Sequence, residues 1–295
     1  MKLDRYPPQE PLSAVGAAYA ERIMALGHGI EGKEAAYGPD PYQGLTVFEA
    51  DQGGAGDAVR SLLVFFHGGG WTSGYKEWMH FMAPALVAEG VTFVSAGYRL
   101  APGHVFPTAL EDAADAVAWV WNHVANADPA KPMRLFVGGH SAGGHYASLL
   151  AVDGAWRKAR GLPHDVLSGC LPVSGVYRFG EGSGLNTRPR FLGSGDEART
   201  DRAASPILQI DPKACPPFLI TCGSRDFPHL VKQAGEMASA LRDAGVPVRS
   251  EILEGADHFD ASVACGEHPA GWPALAAAWM RQPAASSSHP VDRSS

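Results

Sequence analysis

Apolar residues arrive along this chain in short unbroken runs separated by turn formers. "LTVFEA" (residues 45–50), "SLLVFF" (61–66), "VTFVSA" (91–96), "RLFV" (134–137), "GCLPVSG" (169–175), "FLITCG" (218–223) and "VRSEIL" (248–253) have the length and composition of strands. The first two, joined by the turn-rich "DQGGAGD", predict a hairpin. Between the runs the spacing changes to that of helices, over residues 12–26, 109–124, 146–152, 229–245 and 272–280. In 109–124, Ala113, Val117, Val120, Trp121 and Val124 share one face. Gly245 stands where a helix ending there needs its left-handed residue.

Strands that are apolar throughout, alternating with helices, predict an α/β fold. Its sheet is mostly parallel and covered by helices on both faces. The periodicity supports one domain over 1–281. It fails in 176–217, a stretch rich in Gly, Arg and Pro that also holds Tyr177, Phe179, Phe191 and Leu192. Those apolar side chains fit an inserted cap or lid better than a linker. Residues 282–295 have almost nothing to bury and are expected to be disordered.

Composition narrows the partners. The 295 residues are 45% hydrophobic and carry 24 Lys+Arg against 31 Asp+Glu, a net charge of −7. With no basic cluster, nucleic acid is not an expected partner. No run approaches the 18 or so apolar residues of a membrane span. The first residues lack the apolar stretch of a signal peptide. Four cysteines without pair spacing read as free thiols in a reducing compartment, so the cytoplasm is the expected location. A homodimer is compatible with the sequence, which fixes no oligomeric state.

The chemistry is carried by "GGHSAGGH" (138–145), between the run 134–137 and a helix. Gly139, Ser141 and Gly143 form Gly-x-Ser-x-Gly. A sharp strand-to-helix turn pushes such a serine hydroxyl above the sheet and aims the Ala142 N–H at a developing oxyanion. "HGGGW" (67–71) follows an earlier strand. It has the glycines needed to turn backbone N–H groups inward, which makes Gly69 and Gly70 the further expected donors. His67 is expected to orient that loop rather than act as a base. In this fold order an acid and then a histidine should follow the serine. His229 comes too early, His268 has no strand before it and His289 is in the tail. His258, in "EGADHFD", directly follows the last strand. Asp226, just past "FLITCGSR", sits where the acid should, whereas Asp211 is at the wrong strand end and Asp257 and Asp260 are too near His258. No metal or cofactor is expected: His140 and His145 are five apart and no HExxH occurs.

These motifs resemble the α/β-hydrolase superfamily, within it the branch joining hormone-sensitive-lipase-like esterases and kynurenine formamidases. "HGGGW", "YRLAPGHVFPTALEDA" and "GGHSAGGH" resemble the esterases. "YGPDPYQGLTVF", "GHSAGGHYASLL", "VSGVYRF" and "ADHFD" resemble the formamidases. The chain departs from the latter at Gly70, where formamidases often carry tyrosine. The resemblance implies an α/β-hydrolase fold and a small-molecule substrate: a short formyl or acetyl ester or amide of an aromatic compound. Ser141, His258 and Asp226 would cleave it, with Trp71, Tyr177, Phe191 and Phe259 as candidate substrate-binding residues. A general short-chain carboxylesterase is the alternative. A silent ligand-binding homologue would be expected to lack the serine, the histidine or the loop glycines.

Overall fold

The computed structural model describes residues 3–50, 60–127, 133–267 and 271–282. A short strand not expected from the sequence, β1 (Lys33–Ala36), precedes the seven apolar runs, which become β2 (Gly44–Phe48), β3 (Arg60–Phe66), β4 (Val91–Ala96), β5 (Met133–His140), β6 (Leu167–Val173), β7 (Phe218–Gly223) and β8 (Val248–Leu253). The helices are α1 (Ala14–Leu26), α2 (Ala83–Ala88), α3 (Thr108–Val120), α4 (Ala142–Val152), α5 (Ala155–Ala159), α6 (Glu197–Ala204), α7 (Pro228–Asp243), α8 (His258–Val263) and α9 (Trp272–Arg281). Their ends follow local chemistry. The Ser13 side chain caps α1 by accepting from Gly16 N–H. Pro228 opens α7, and Gly245, at φ +76°, lies just past its end.

The strands form one sheet in the order β1-β2-β4-β3-β5-β6-β7-β8. It is parallel from β4 across to β8, and β2 runs antiparallel to both its neighbours. The expected hairpin between β2 and β3 does not form. β4 lies between them, and β2 forms its antiparallel pair with β1 instead. The physical reason is burial. Both faces of β3 are covered, so it needs ladder partners on both edges, and parallel β4 and β5 supply them. The "DQGGAGD" stretch lies outside the described residues, as do His268, His289 and residues 283–295 of the expected tail.

Alternation along each strand feeds two cores. Leu62, Val64 and Phe66 of β3, with Leu135 and Val137 of β5, pack under α3, α4 and α7. Leu63, Phe65 and Phe136 face α1, α2 and α9 on the other side. Within α3, Ala113, Val117 and Val120 are fully buried, and Trp121 and Val124 pack partly buried in the wider turn that follows it. The segment 176–217 carries α6 and two short 3₁₀ turns, with Tyr177, Phe179, Phe191 and Leu192 buried against the first core.

Polar groups buried at the strand ends set the loops. Asp112 of α3 has no exposure. Its carboxylate accepts from Arg99 N–H (2.9 Å), Arg99 Nε (2.8 Å), Arg99 Nη2 (2.6 Å) and Gln43 Nε2 (2.8 Å). It therefore ties the loop after β4 and the loop before β2 to one helix. Besides His258, four of the described histidines are buried. Burial pushes His67 and His80 down to about 4, and His140 and His145 down to about 3.

Asp112→Ala leaves a guanidinium and an amide facing an empty pocket. It is expected to cost about 3 kcal/mol or more, seen as a lower urea midpoint at unchanged slope. A loss below about 1 kcal/mol contradicts the role given to Asp112.

The buried histidines make stability pH-dependent. Their folded values lie below the ordinary 6.5, so an unfolding chain takes up protons that the native state refuses. This contribution is complete above pH about 6.5 and is lost as pH falls toward about 3. Burial works to raise Glu34, Glu77 and Asp226, but hydrogen bonds and neighbouring positive charge leave all three lowered, which extends the loss further into acid. Urea midpoints should fall steadily from pH 7 to pH 4.5; a flat profile over that interval contradicts this account.

Candidate active site

The site is built around the turn from β5 into α4. Ser141 takes φ +54° and ψ −115°, a backbone region that costs a non-glycine residue about 1–3 kcal/mol. Its N–H donates to the Val173 carbonyl of β6 (2.9 Å). The two flanking glycines are there because nothing larger fits. A Cβ on Gly139 would lie 2.3 Å from the Gly143 carbonyl carbon, and one on Gly143 would lie 2.0 Å from the Phe66 carbonyl oxygen. Helix α4 is thus seated directly against the end of β3, with its N-terminus opening beside Ser141.

Three side chains from separate loops meet here. His258 Nε2 is 3.0 Å from Ser141 Oγ, and His258 Nδ1 is 2.9 Å from Asp226 Oδ1. With a carboxylate on Nδ1, the ring proton belongs there, which leaves Nε2 to accept the serine hydroxyl proton. Burial works to raise the Asp226 carboxyl. The His258 bond and charge, Ser174 Oγ and Phe227 N–H (2.7 Å) together outweigh it and hold the carboxyl below its ordinary value. His258 is the first residue of α8, whose N-cap is Asp257: its carboxylate accepts from Phe259 N–H and Asp260 N–H, both at 2.9 Å. Asp257, set aside as an acid on its position in the sequence, thus anchors the helix that presents the histidine.

The glycine loop lies alongside. Gly68 packs against the serine: a Cβ there would be 3.3 Å from Ser141 Cβ. Gly69, Gly70 and Trp71 follow with φ of +111°, +61° and +66°. Among the described residues, neither the Gly69 nor the Gly70 N–H donates to a backbone carbonyl. The Ala142 N–H, first in α4, has no partner within its helix. His67 is buried and stacks on Tyr98 (4.3 Å between centroids). Its Nδ1–H donates to the Gly68 carbonyl (2.6 Å), so it shapes the loop from within.

The aromatic candidates divide. Trp71 stacks on Phe191 (4.3 Å, 15°) and is buried with it, and Phe179 completes the cluster. Tyr177 has no exposure and belongs to the core between sheet and helices. Phe259 stays half-buried beside His258, its ring tilted against Tyr19 (4.8 Å).

Two contributors had no reading of this kind in the sequence. Ser174, at φ +50° where β6 ends, donates its hydroxyl to Asp226 Oδ2. His145 accepts from Trp71 Nε1–H (3.1 Å) through Nδ1 and donates from Nε2 to the Ala204 carbonyl at the end of α6 (2.7 Å). It thereby links the glycine loop, α4 and the segment 176–217. His140 points elsewhere, donating from Nε2 to the His258 carbonyl (2.9 Å). Of these, the placing of Ser174 right after an apolar strand was the one signal available. Its contact with Asp226 depends on how three strand ends are brought together.

A carboxylic ester hydrolase of Mycobacterium tuberculosis is 32% identical over 69% of this chain and 58% of its own length. A kynurenine formamidase of Danio rerio is 27% identical over 67% of this chain and 65% of its own length. The chain therefore spans less than two thirds of either relative. An esterase of Pyrobaculum calidifontis superimposes with a TM-score of 0.69 at 21% identity, over 94% of each chain, a likeness of fold. The parallel sheet, the serine turn leaving β5 and the histidine after β8 lie within or beside residues 63–260. That span, more than half the chain, matches the model of the alpha/beta hydrolase fold, and the chain belongs to that family.

Proposed function

We propose that this protein is a serine hydrolase of the esterase type that removes a short acyl group, formyl or acetyl, from an ester or amide of an aromatic compound. The observation that carries this reading is the Ser141–His258–Asp226 relay, at 3.0 Å and 2.9 Å. Ser141 Oγ attacks the carbonyl carbon as its proton passes to His258 Nε2. The carbonyl electron pair moves onto oxygen, where Gly69, Gly70 and Ala142 N–H groups would hold it, aided by the positive end of α4. As the intermediate collapses, His258 returns the proton to the departing oxygen or nitrogen and an acyl-serine remains. Water, deprotonated by the same histidine, then releases the acid and restores Ser141.

A general short-chain carboxylesterase is the second reading. It is favoured by the greater identity to a carboxylic ester hydrolase than to a formamidase. The two share every step above and differ in the leaving group.

Ser141→Ala is expected to lower kcat by about 10⁴-fold or more with an unchanged circular dichroism spectrum, since Ser141 is partly exposed and its hydroxyl bonds to His258. A fluorophosphonate should label Ser141 in the wild type and do so far more slowly in His258→Ala. Adduct on another serine, or undiminished turnover in Ser141→Ala, overturns the mechanism.

The Trp71–Phe191–Phe179 cluster fills the volume beside the glycine loop. Across p-nitrophenyl esters kcat/KM should fall as the acyl chain passes about four carbons, because a packed core resists added methylenes. Peak efficiency at octanoate or longer contradicts this. Run beside the esters, an N-formyl arylamine decides between the two leaving groups: turnover comparable to acetate esters supports the formamidase-like reading, and none selects the esterase.

A further inference from the structure

Proton return fixes where the departing half of a substrate must lie. The leaving atom has to come within about 3 Å of His258 Nε2. Its substituent therefore begins beside the imidazole, on the side away from the glycine loop. The buried rings Trp71, Tyr177 and Phe191 offer no free face there.

Among the described residues three rings flank the imidazole, of which His140, centroid 4.7 Å away, is buried. Phe259, centroid 5.4 Å away, already has one face against Tyr19. Phe227, centroid 4.8 Å away, is likewise tilted against its neighbour, the imidazole itself, at 38°, and differs from Phe259 in its exposure. It is 46% exposed, the one aromatic among the exposed large apolar side chains of the described residues. An exposed phenyl group loses the hydrophobic gain of burial, so its position asks for a reason.

Its backbone is held firmly. Phe227 N–H donates to Asp226 Oδ1 (2.7 Å), the oxygen that also accepts from His258. Its carbonyl accepts from Leu230 N–H (2.8 Å) and Val231 N–H (3.1 Å), and Pro228 follows as the first residue of α7. Asp226 and the first turn of α7 thus fix the backbone from which this ring projects. Next to it, the His229 ring lies parallel, at 10° and 5.9 Å. Gly184, at φ +74°, backs that histidine so closely that a Cβ would sit 2.7 Å from His229 Cβ.

We infer that Phe227, extended by His229, is the platform on which a planar aromatic leaving group, an aryl alcohol or aryl amine, stacks during proton return. This rests on the serine-hydrolase reading and adds the subsite that selects its substrate class. Burial lowers the His229 imidazole, which keeps it uncharged near neutrality and suited to lie beside an uncharged ring. An alkyl leaving group can fill the same space but gains no face-to-face contact.

Two measurements test it. The first is the ratio of kcat/KM for 2-naphthyl acetate to that for 2,2,2-trifluoroethyl acetate, an activated ester without a ring. Phe227→Ala should lower this ratio about 3–10-fold, mainly through KM for the naphthyl ester, and Phe227→Trp should restore it. A ratio unchanged in Phe227→Ala, whatever the absolute rates, overturns the platform. A purely structural role, in which the ring only shields or steadies His258, would move both esters together. The second is calorimetric titration of 2-naphthol into the wild type and Phe227→Ala, against cyclohexylmethanol. Binding of naphthol about 3–10-fold weaker in the variant, with a smaller change for cyclohexylmethanol, supports the platform. Equal changes overturn it. Titration needs no turnover, so the platform is tested even if fluorophosphonate fails to label Ser141 and the catalytic reading falls.

Discussion

Everything in this site depends on how closely α4 approaches the end of β3. With Gly143 against the Phe66 carbonyl, the helix starts immediately after one strained residue, Ser141. A wider approach would let that residue relax to ordinary helical or extended backbone, and the hydroxyl would no longer face the histidine. The strain of about 1–3 kcal/mol is offset by the burial of α4, whose eleven residues are all buried. Helix packing therefore stabilises a local conformation that the serine would not adopt alone. The same packing leaves the first amides of α4 beside the Ser141 hydroxyl.

The remaining parts are held by polar groups that would be costly to leave unpaired. Asp226 sits with no side-chain exposure and is satisfied by His258, Ser174 and the Phe227 N–H. Each of those donors comes from a different strand end or loop, so satisfying one buried carboxylate fixes the positions of three segments. His145 does a comparable job on the other side. Its two ring nitrogens can serve Trp71 and Ala204 together in one tautomer only, with the proton on Nε2. That choice sets the indole, and with it the end of the glycine loop.

Much of this was legible in the chain. The limits of "VTFVSA" and "FLITCG" match β4 and β7, because buried parallel strands are apolar throughout and end at turn formers, and those of "VRSEIL" match β8, a more exposed edge strand set between Pro247 and Gly255. Their order and the strands before them singled out Ser141, His258 and Asp226, because loops at one end of a parallel sheet come together, and the structure brings those three side chains within hydrogen-bond reach. Sequence nearness misled at β2 and β3, where the ladder is decided by β4, a segment 25 residues beyond β3. The short elements β1, α2, α5, α6 and α8 were not read at all, having too few residues to show a period. The exposure of Phe227 and the links made by Ser174 and His145 are tertiary facts. No spacing encodes which strand ends come together, or which ring of a motif is left uncovered.

The central claim is geometric: the strained turn aims Ser141 Oγ so that one carbonyl carbon can meet it while the carbonyl oxygen meets the glycine loop and α4. A crystal structure of the protein carrying a small alkyl phosphonate tests this most directly. The account predicts phosphorus bonded to Ser141 Oγ, the phosphoryl oxygen within about 3 Å of the Gly69, Gly70 and Ala142 nitrogens, and the ester oxygen toward His258 Nε2. A phosphoryl oxygen turned to solvent, with those amides engaged elsewhere, would contradict it.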